Sequence, residues 1–171
     1  MIDKSFVFNE VLAALELRFV TAKKAAQQAK EAATNEESVA ETKYDTFGLE
    51  ASYLAHGQSE RVYQCEQDWL NFKRIMTTNM LLDPQDDVIS LWSTVHLQAS
   101  ENGAGEKYFL LSNIAGGLNL PLIDKGKELG LLVLISPSAP IGQMLMNKSK
   151  GETVFIPKAG QQIEFEIVGI N

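Results

Sequence analysis

The chain has 171 residues, of which 45% are apolar and 22% charged, as in a globular protein with one ordinary domain or two small ones. Its one cysteine, Cys65, excludes an internal disulfide framework and fits a reducing compartment. A net charge of -7 argues against nucleic-acid binding by the surface as a whole. No apolar run reaches the ~20 residues of a membrane span, and the start lacks the pattern of a secretory signal. We therefore expect a cytoplasmic monomer with a protein or cationic partner and no membrane partner.

The first half contains two series of apolar residues with helical spacing. Steps of four and three residues alternate in both series, which is the repeat of a coiled-coil seam. Gln58 is the polar exception. We therefore predict an antiparallel coiled-coil hairpin of two helices. The seam residues are Phe8, Leu12, Leu15, Phe19, Ala22, Ala26, Ala29 and Ala33, then Tyr44, Gly48, Ala51, Ala55, Gln58, Val62, Cys65, Trp69, Phe72 and Met76.

A single antiparallel register pairs every residue of the first series with one of the second. It places Phe8 against Trp69 and Phe19 against Gln58, and it puts the turn around residues 35–40. Large side chains lie near the chain termini and small ones near the turn, so the far end should be slender. At 1.5 Å rise per residue the hairpin would reach roughly 40 Å.

The turn region, "ATNEESVAETKYD", carries four carboxylates within ten positions: Glu36, Glu37, Glu41 and Asp45. Two capping boxes, Thr34 with Glu37 and Ser38 with Glu41, offer a structural role at a helix N-terminus. A cluster of carboxylates at the end of a slender hairpin also suits a functional role. The residues themselves leave both interpretations open.

The second half predicts a small sheet domain. Pro84 ends the helical pattern, so we place domains at residues 1–79 and 80–171. Alternating apolar residues from position 89 predict a strand, followed by a turn and a return strand. "LGLLVLIS" predicts a buried strand, "APIGQMLMNKSKGE" a short helix, and the last residues a hairpin with Ile163, Phe165 and Ile167 inward and Gln162, Glu164 and Glu166 outward. The fold class expected is α+β, a helical hairpin followed by an antiparallel sheet domain with one short helix.

The C-terminal segment resembles a known family. "ISPSAPIGQMLMNKSKGETVFIP", followed by "QQIEFEIVGI", is similar to the C-terminal domain of the Gre family of bacterial transcript-cleavage factors. The resemblance covers about 35 residues, and a coiled-coil hairpin before this domain is also the family's arrangement. The matching positions are Ser136, Pro137, Pro140, Gly142, Leu145, Lys148, Gly151, Val154, Glu164, Glu166, Ile167 and Val168, with Phe165 at the aromatic position, Glu152 at the acidic one and Asn147 at a glycine.

The resemblance implies an FKBP-like C-terminal domain and a role in transcription elongation. In the family, this domain docks at the rim of the secondary channel of bacterial RNA polymerase, and the hairpin enters the channel. Acidic residues at its tip help to hold Mg²⁺ shared with the polymerase active centre, where backtracked RNA is cleaved. Carboxylates suit this hard cation, and a second metal suits phosphodiester hydrolysis. The implied partners are the polymerase and, within that complex, the 3′ end of the nascent RNA.

The resemblance also assigns residues. The family's tip pattern, Asp-x-x-Glu-Asn-Ala-Glu-Tyr, aligned on Tyr44 puts its Asp on Glu37 and its catalytic Glu on Ala40. A shift of one residue puts that Glu on Glu41 and the Asp on Ser38. We therefore expect Glu37 and Glu41 as metal ligands and catalytic residues. The remaining expected residues are Glu36 and Asp45 as further catalytic residues at the tip, Ser136, Pro137, Ser138 and Pro140 for polymerase docking, and Lys23, Lys24 and Lys30 for RNA contact.

Three alternatives remain open. The altered tip fits a regulator that occupies the secondary channel without cleaving RNA. The implied fold also fits an FKBP-like prolyl isomerase with a helical appendage, although "SPSAP" lacks an evident aromatic-lined pocket. A hairpin chaperone or assembly module is the third. The three lysines have a plain alternative as a solvated helix face, and the sequence gives no role to His56 or His96.

Overall fold

The computed structural model describes residues 3–34, 47–79, 88–100, 105–124, 126–158 and 160–171. Two long helices come first, and six strands and one short helix follow, so the predicted α+β class with an N-terminal helical hairpin is confirmed. The FKBP-like assignment stays a prediction. The elements are α1 (Lys4–Thr34), α2 (Phe47–Asn79), β1 (Thr94–Ala99), β2 (Glu106–Leu111), β3 (Asn119–Asp124), β4 (Lys127–Ile135), α3 (Pro140–Leu145), β5 (Thr153–Lys158) and β6 (Gln161–Ile170).

The chain divides into two compact units. One unit is Leu12–Lys73, and the other combines Met1–Val11 with Arg74–Asn171. The sheet and α3 therefore belong to the same unit as the first turns of α1 and the last turns of α2. The domain limits at 1–79 and 80–171 remain a prediction from the sequence.

The Leu12–Lys73 unit buries the predicted seam. Described seam residues on both helices are buried or half-buried, with Leu15, Ala22 and Cys65 among the buried ones. Side chains away from the seam, such as Glu16 and Lys24, are exposed. The 3.5-residue spacing thus identified the correct face of each helix.

The predicted register of the hairpin is wrong. Phe19 stacks on Trp69, with ring centroids 5.9 Å apart and planes 15° from parallel, whereas the sequence register paired Phe19 with Gln58. Trp69 lies about three helical turns further along α2 than Gln58. A slip of whole turns leaves the same faces in contact, so spacing alone could not exclude it. The other predicted partner of Trp69, Phe8, instead packs edge-on against Trp92, at 6.5 Å between centroids.

The sheet is mixed, which corrects the prediction of an antiparallel one. Its strand order is β3-β4-β2-β1-β6-β5. β2 and β4 run parallel, and the other neighbouring pairs are antiparallel. The parallel pairing arises because the connection after β2 contains β3, which returns along the outer side of β4. β3 was not predicted from the sequence, and its Pro121 is tolerated because the strand lies at the sheet edge.

The strand predicted from position 89 begins later. Ile89 is buried, and its backbone N–H donates to the carbonyl of Lys148, but it lies outside the strands. Leu91 is exposed. Trp92 has a left-handed φ of 70°, which interrupts an extended backbone, and β1 starts at Thr94.

One face of the sheet carries the main core. Side chains from β1, β2 and β6 pack there with Leu145 of α3, which is fully buried. The predicted alternation along β6 is confirmed, because Phe165 and Ile167 are buried and Glu164 and Glu166 are exposed. On the opposite face, further apolar residues are buried, among them Leu110, Leu132 and Leu134 of the sheet and Val7, Phe8 and Val11 of α1.

Candidate functional site

The predicted docking segment, residues 136–140, is a tight turn between β4 and α3. The backbone N–H of Ala139 donates to the carbonyl of Ser136 across 2.9 Å. The Ser136 and Ser138 hydroxyls lie 2.7 Å apart, and the Gln143 amide donates to the Ser138 carbonyl at 2.9 Å. These bonds fix the turn while leaving the Ser138 and Pro140 side chains exposed and Ser136 and Pro137 half-buried.

Gly142 allows α3 to lie directly against this turn. A Cβ at this position would lie 2.0 Å from the Ser136 carbonyl oxygen and 3.0 Å from the Pro137 Cα. Both atoms belong to the backbone, so neither can rotate away. Gly142 is therefore required by close packing, and Pro140 occupies the first turn of α3, where its missing N–H costs little. Four residues of the Gre-like motif thus form one rigid turn and helix start.

The second part of the motif closes a loop after α3. Lys148 Nζ lies 2.7 Å from Glu152 Oε1, and the Ser149 N–H donates to Glu152 Oε2 at 2.6 Å. The hydrogen bond from Lys148 and that from Ser149 hold the pKa of the Glu152 carboxyl below its usual value. Glu152 therefore has a structural role, which the motif alone does not reveal.

A groove with cationic walls runs along the hairpin unit. Lys23 and Lys30 of α1 line it with His56 of α2, around the small residues Ala26 and Ala55, and none of its described lining residues is a carboxylate. The Lys23 ammonium lies 5.3 Å from the centre of the Phe19 ring, a cation–π contact that favours one orientation of this side chain. On a chain of net charge -7, such a groove is a local region of positive charge.

The structure thus brings together two of the three predicted RNA-contacting lysines. Lys24 is exposed on α1 but does not line the groove. Glu31, which follows Lys30 in α1, accepts a hydrogen bond from the amide of the groove residue Gln27 at 2.7 Å. His56 was not predicted from the sequence, because its place beside Lys23 and Lys30 depends on contacts between α1 and α2.

The predicted catalytic and metal-binding residues lie outside the described residues. Glu36, Glu37, Glu41 and Asp45 all fall in segment 35–46. On the described side of this segment, Thr34 ends α1, and its hydroxyl donates to the Lys30 carbonyl at 3.0 Å. Within the described ranges, no three His, Cys, Asp or Glu side chains cluster as metal ligands, and no described helix is long and apolar enough to span a membrane.

A polar cluster that the sequence analysis also missed lies on the sheet. His96 of β1 and Tyr108 of β2 are cross-strand partners whose rings stack at 4.5 Å. The Tyr108 hydroxyl donates a hydrogen bond to the Glu106 carboxylate. His96 Nε2 lies 3.2 Å from the same carboxylate oxygen, which is within ion-pair distance, but the geometry does not form a hydrogen bond. The bond from Tyr108 lowers the pKa of the Glu106 carboxyl. Burial, and then this bond, raise the pKa of Tyr108.

Comparison with solved structures returns several chains to which this one has a limited similarity. GreA factor homolog 1 (Gfh1) of Thermus thermophilus is 20% identical, with 98% of this chain and 94% of that chain covered and a TM-score of 0.38. Gfh1 of Thermus aquaticus is 18% identical, with 92% of each chain covered and a TM-score of 0.37. The elongation factor GreA/GreB of Nitrosomonas europaea is 23% identical, with 57% of this chain and 74% of that chain covered and a TM-score of 0.36.

The comparisons return the family that the C-terminal motif resembles. No protein-family model and no curated protein matches the chain. With 18–23% identity and TM-scores of 0.36–0.38, these chains carry no argument about activity, which has to come from the turn, the groove and the tip residues of this chain itself.

Proposed function

We propose that this protein is a Gre-like transcription elongation factor that binds bacterial RNA polymerase through its secondary channel. The observation that carries the proposal is the form taken by the Gre-like motif, a turn fixed by hydrogen bonds and held against α3 at Gly142. This motif follows a hairpin of two helices, of 31 and 33 residues. The factor acts in the cytoplasm as a monomer.

The docking surface is the turn at residues 136–140. Its hydrogen bonds set the backbone before any partner arrives, so little conformational entropy is lost on binding. The exposed Ser138 and Pro140 side chains are the contacts, with Ser136 and Pro137 beneath them. A fixed turn with a small exposed surface suits the rim of a channel, where the protein must be held in one orientation.

The lysines of the groove contact RNA phosphates inside the polymerase complex. Lys23 and Lys30 are about two helical turns apart, which places both on one side of α1. Phosphate contacts by lysine are electrostatic and carry no base preference. This suits a factor that must accept any transcript sequence.

The tip carboxylates act at the polymerase active centre. Glu37 and Glu41 would hold Mg²⁺, and Glu36 and Asp45 would adjust the local charge. Two oxygen-donor carboxylates are a donor set that this hard cation prefers. Bound there with the polymerase's own metal, Mg²⁺ would stabilise the attacking and leaving oxygens during hydrolysis of backtracked RNA.

A second candidate function is occupancy of the channel without cleavage. It is favoured by the tip sequence, in which neither alignment with the family preserves the Asp-x-x-Glu pair. Under this alternative, docking and groove contacts are unchanged, and the tip only obstructs or reshapes the active centre. The two functions therefore differ in a single measurable product.

The test is a backtracked elongation complex with radiolabelled RNA, incubated with Mg²⁺ and the protein. We expect release of short 3′ fragments, and loss of that release in Glu37→Gln and Glu41→Gln with polymerase affinity retained. Glu16→Gln, an exposed carboxylate of α1 remote from segment 35–46, is the matched control. Binding without fragment release would reject cleavage in favour of channel occupancy, and absence of polymerase binding would reject both.

A second pair of variants tests the groove. Lys23→Gln with Lys30→Gln should weaken binding to a backtracked complex by about three- to tenfold, because two phosphate contacts are lost. Lys24→Gln has the same charge change on the same helix but lies outside the groove. An equal effect of Lys24→Gln would contradict a localised RNA contact.

A further inference from the structure

An unassigned cavity lies in the unit formed by Met1–Val11 and Arg74–Asn171. Its volume is about 250 Å³. It follows one row of neighbouring residues across the sheet, from Gly169 of β6 through His96 and Tyr108 to Leu132 of β4. These side chains alternate with the core residues packed around α3, so the cavity lies on the opposite face.

The inner wall of this cavity is apolar. Val7, Leu122 and Leu132 line it, and each is about 1% exposed. Gly169 widens it, because a Cβ there would meet the Cβ of His96 at 3.4 Å. An apolar cavity of roughly 150 Å³ can hold one benzene molecule. The present cavity therefore has room for a ring of that size and a short polar extension.

Two polar groups of the wall are satisfied by the protein, whereas His96 Nε2 is buried without a hydrogen-bond partner among the described residues. The Tyr108 hydroxyl donates to Glu106, and the Thr94 N–H donates to the Asn171 carbonyl at 2.7 Å. Because His96 and Tyr108 stack on each other, their edges and outer faces are the parts that can add aromatic surface to the wall. A cluster of water molecules would find few partners here, since each needs two to four. An apolar or aromatic body is the better occupant.

Lys150 determines the charge of the occupant. Among the side chains described as lining the cavity, it is the one with a permanent charge, and it is exposed, so the ammonium is within reach of the solvent side. The described ion pairs involve His96 with Glu106 and Lys148 with Glu152, so neither neutralises Lys150. A ligand with a carboxylate at one end and a ring at the other would match both regions.

We infer that this cavity binds a small amphipathic carboxylate with a body about the size of one benzene ring. The carboxylate pairs with Lys150 on the solvent side, and the body lies between Val7, Leu122 and Leu132. The site is independent of the proposed polymerase surfaces, because it shares no residue with the turn at 136–140 or with the lysine groove.

The experiment is an NMR titration of the full chain with 3-phenylpropionate and, separately, with 3-phenylpropanol. We expect saturable binding of the carboxylate below about 10 mM, with intermolecular contacts to the methyl groups of Val7, Leu122 and Leu132. The alcohol keeps the ring but lacks the charge, so it should bind more weakly. Absence of saturation in this range, or contacts elsewhere on the chain, would overturn the inference.

Variants separate the two parts of the site. Lys150→Gln should weaken binding of the carboxylate roughly threefold, as expected for an exposed ion pair, and leave the alcohol unchanged. Lys158→Gln, an exposed lysine of β5 outside the cavity, should change neither. Equal affinity of Lys150→Gln and the original chain for the carboxylate would overturn the assignment of the charge.

Filling the cavity tests the apolar part. Val7→Phe should abolish binding, and Gly169→Ala, which adds one methyl group to the wall, should weaken it severalfold. Near-ultraviolet circular dichroism checks that each variant is folded, and Gly169→Ala keeps the test usable if Val7→Phe does not fold. Unchanged affinity in folded Gly169→Ala, together with unchanged contacts to Val7, would contradict binding in this cavity.

Discussion

Gly142→Ala should destabilise the sheet unit, although alanine is the better helix former. The new Cβ would lie 2.0 Å from the Ser136 carbonyl oxygen and 2.9 Å from its carbonyl carbon. Non-bonded carbon atoms pack at about 3.5–4.0 Å. The turn at residues 136–140 and α3 must therefore separate, and the obstructing atoms are backbone atoms that cannot rotate aside.

The size of the effect follows from two opposing contributions. Replacing glycine by alanine inside a helix normally stabilises by about 1 kcal/mol. Forcing extra volume into a packed region costs about 1–3 kcal/mol, and the upper end applies where backbone obstructs. We expect a net loss of about 2 kcal/mol in the free energy of unfolding of this unit. Docking to polymerase should weaken as well, because the displaced turn carries the proposed contacts.

Gly57→Ala is the matched control. Gly57 lies in α2, and a Cβ there would meet nothing within 4 Å. This substitution should stabilise by about 0.5–1 kcal/mol, since only the helix preference remains. Amide hydrogen exchange reports the opening of the two units separately. If Gly142→Ala left protection in α3 and β4 unchanged or raised it, the packing argument would be refuted.

Two further predictions concern the hairpin and the sheet. A double-mutant cycle of Phe19→Ala and Trp69→Ala should give a coupling of about 1 kcal/mol, as stacked aromatic pairs do. The cycle of Phe19→Ala with Gln58→Ala should give none, and the opposite result would restore the register expected from sequence. The pKa of Glu106 is lowered in the folded protein, so its ionised form stabilises the fold. This contribution to stability is complete above the pKa of the unfolded chain, about 4.3, and is lost as pH falls through the folded pKa. Glu106→Gln should therefore cost less than about 1 kcal/mol at pH 7, because the side chain is 45% exposed. At pH 3 the cost should be smaller, and a cost independent of pH in urea titrations would contradict the contact with Tyr108.

The sequence predicted faces of elements better than their partners. The spacing of seam residues identified the buried sides of both helices, and the alternation along β6 identified Phe165 and Ile167 as core. Both patterns record which side of an element avoids water. They do not record which turn of one helix meets which turn of the other, so the contact of Trp69 with Phe19 could not be predicted from the sequence.

The topology shows the same limit. A buried strand such as β4 has the same apolar pattern whether its neighbour runs parallel or antiparallel, and its pairing with β2 is parallel. β3 contains Pro121, which weakens any strand pattern, and only its edge position makes the proline acceptable.

Part of the candidate site could be predicted from the sequence. The motif residues of the docking turn and two of the groove lysines followed from the sequence and its resemblance. The roles of His56 and of the His96–Tyr108 pair did not, because each depends on contacts between elements distant in the chain.

The central claim is that the acidic tip enters the polymerase active centre. The most direct measurement is photo-crosslinking from a benzophenone amino acid placed at Glu41, using a backtracked elongation complex with labelled RNA. We expect a crosslink to the RNA 3′ end or to polymerase residues around the catalytic Mg²⁺, and none from the same group at Glu10. Polymerase binding with no crosslink from position 41 to the active centre would contradict the account.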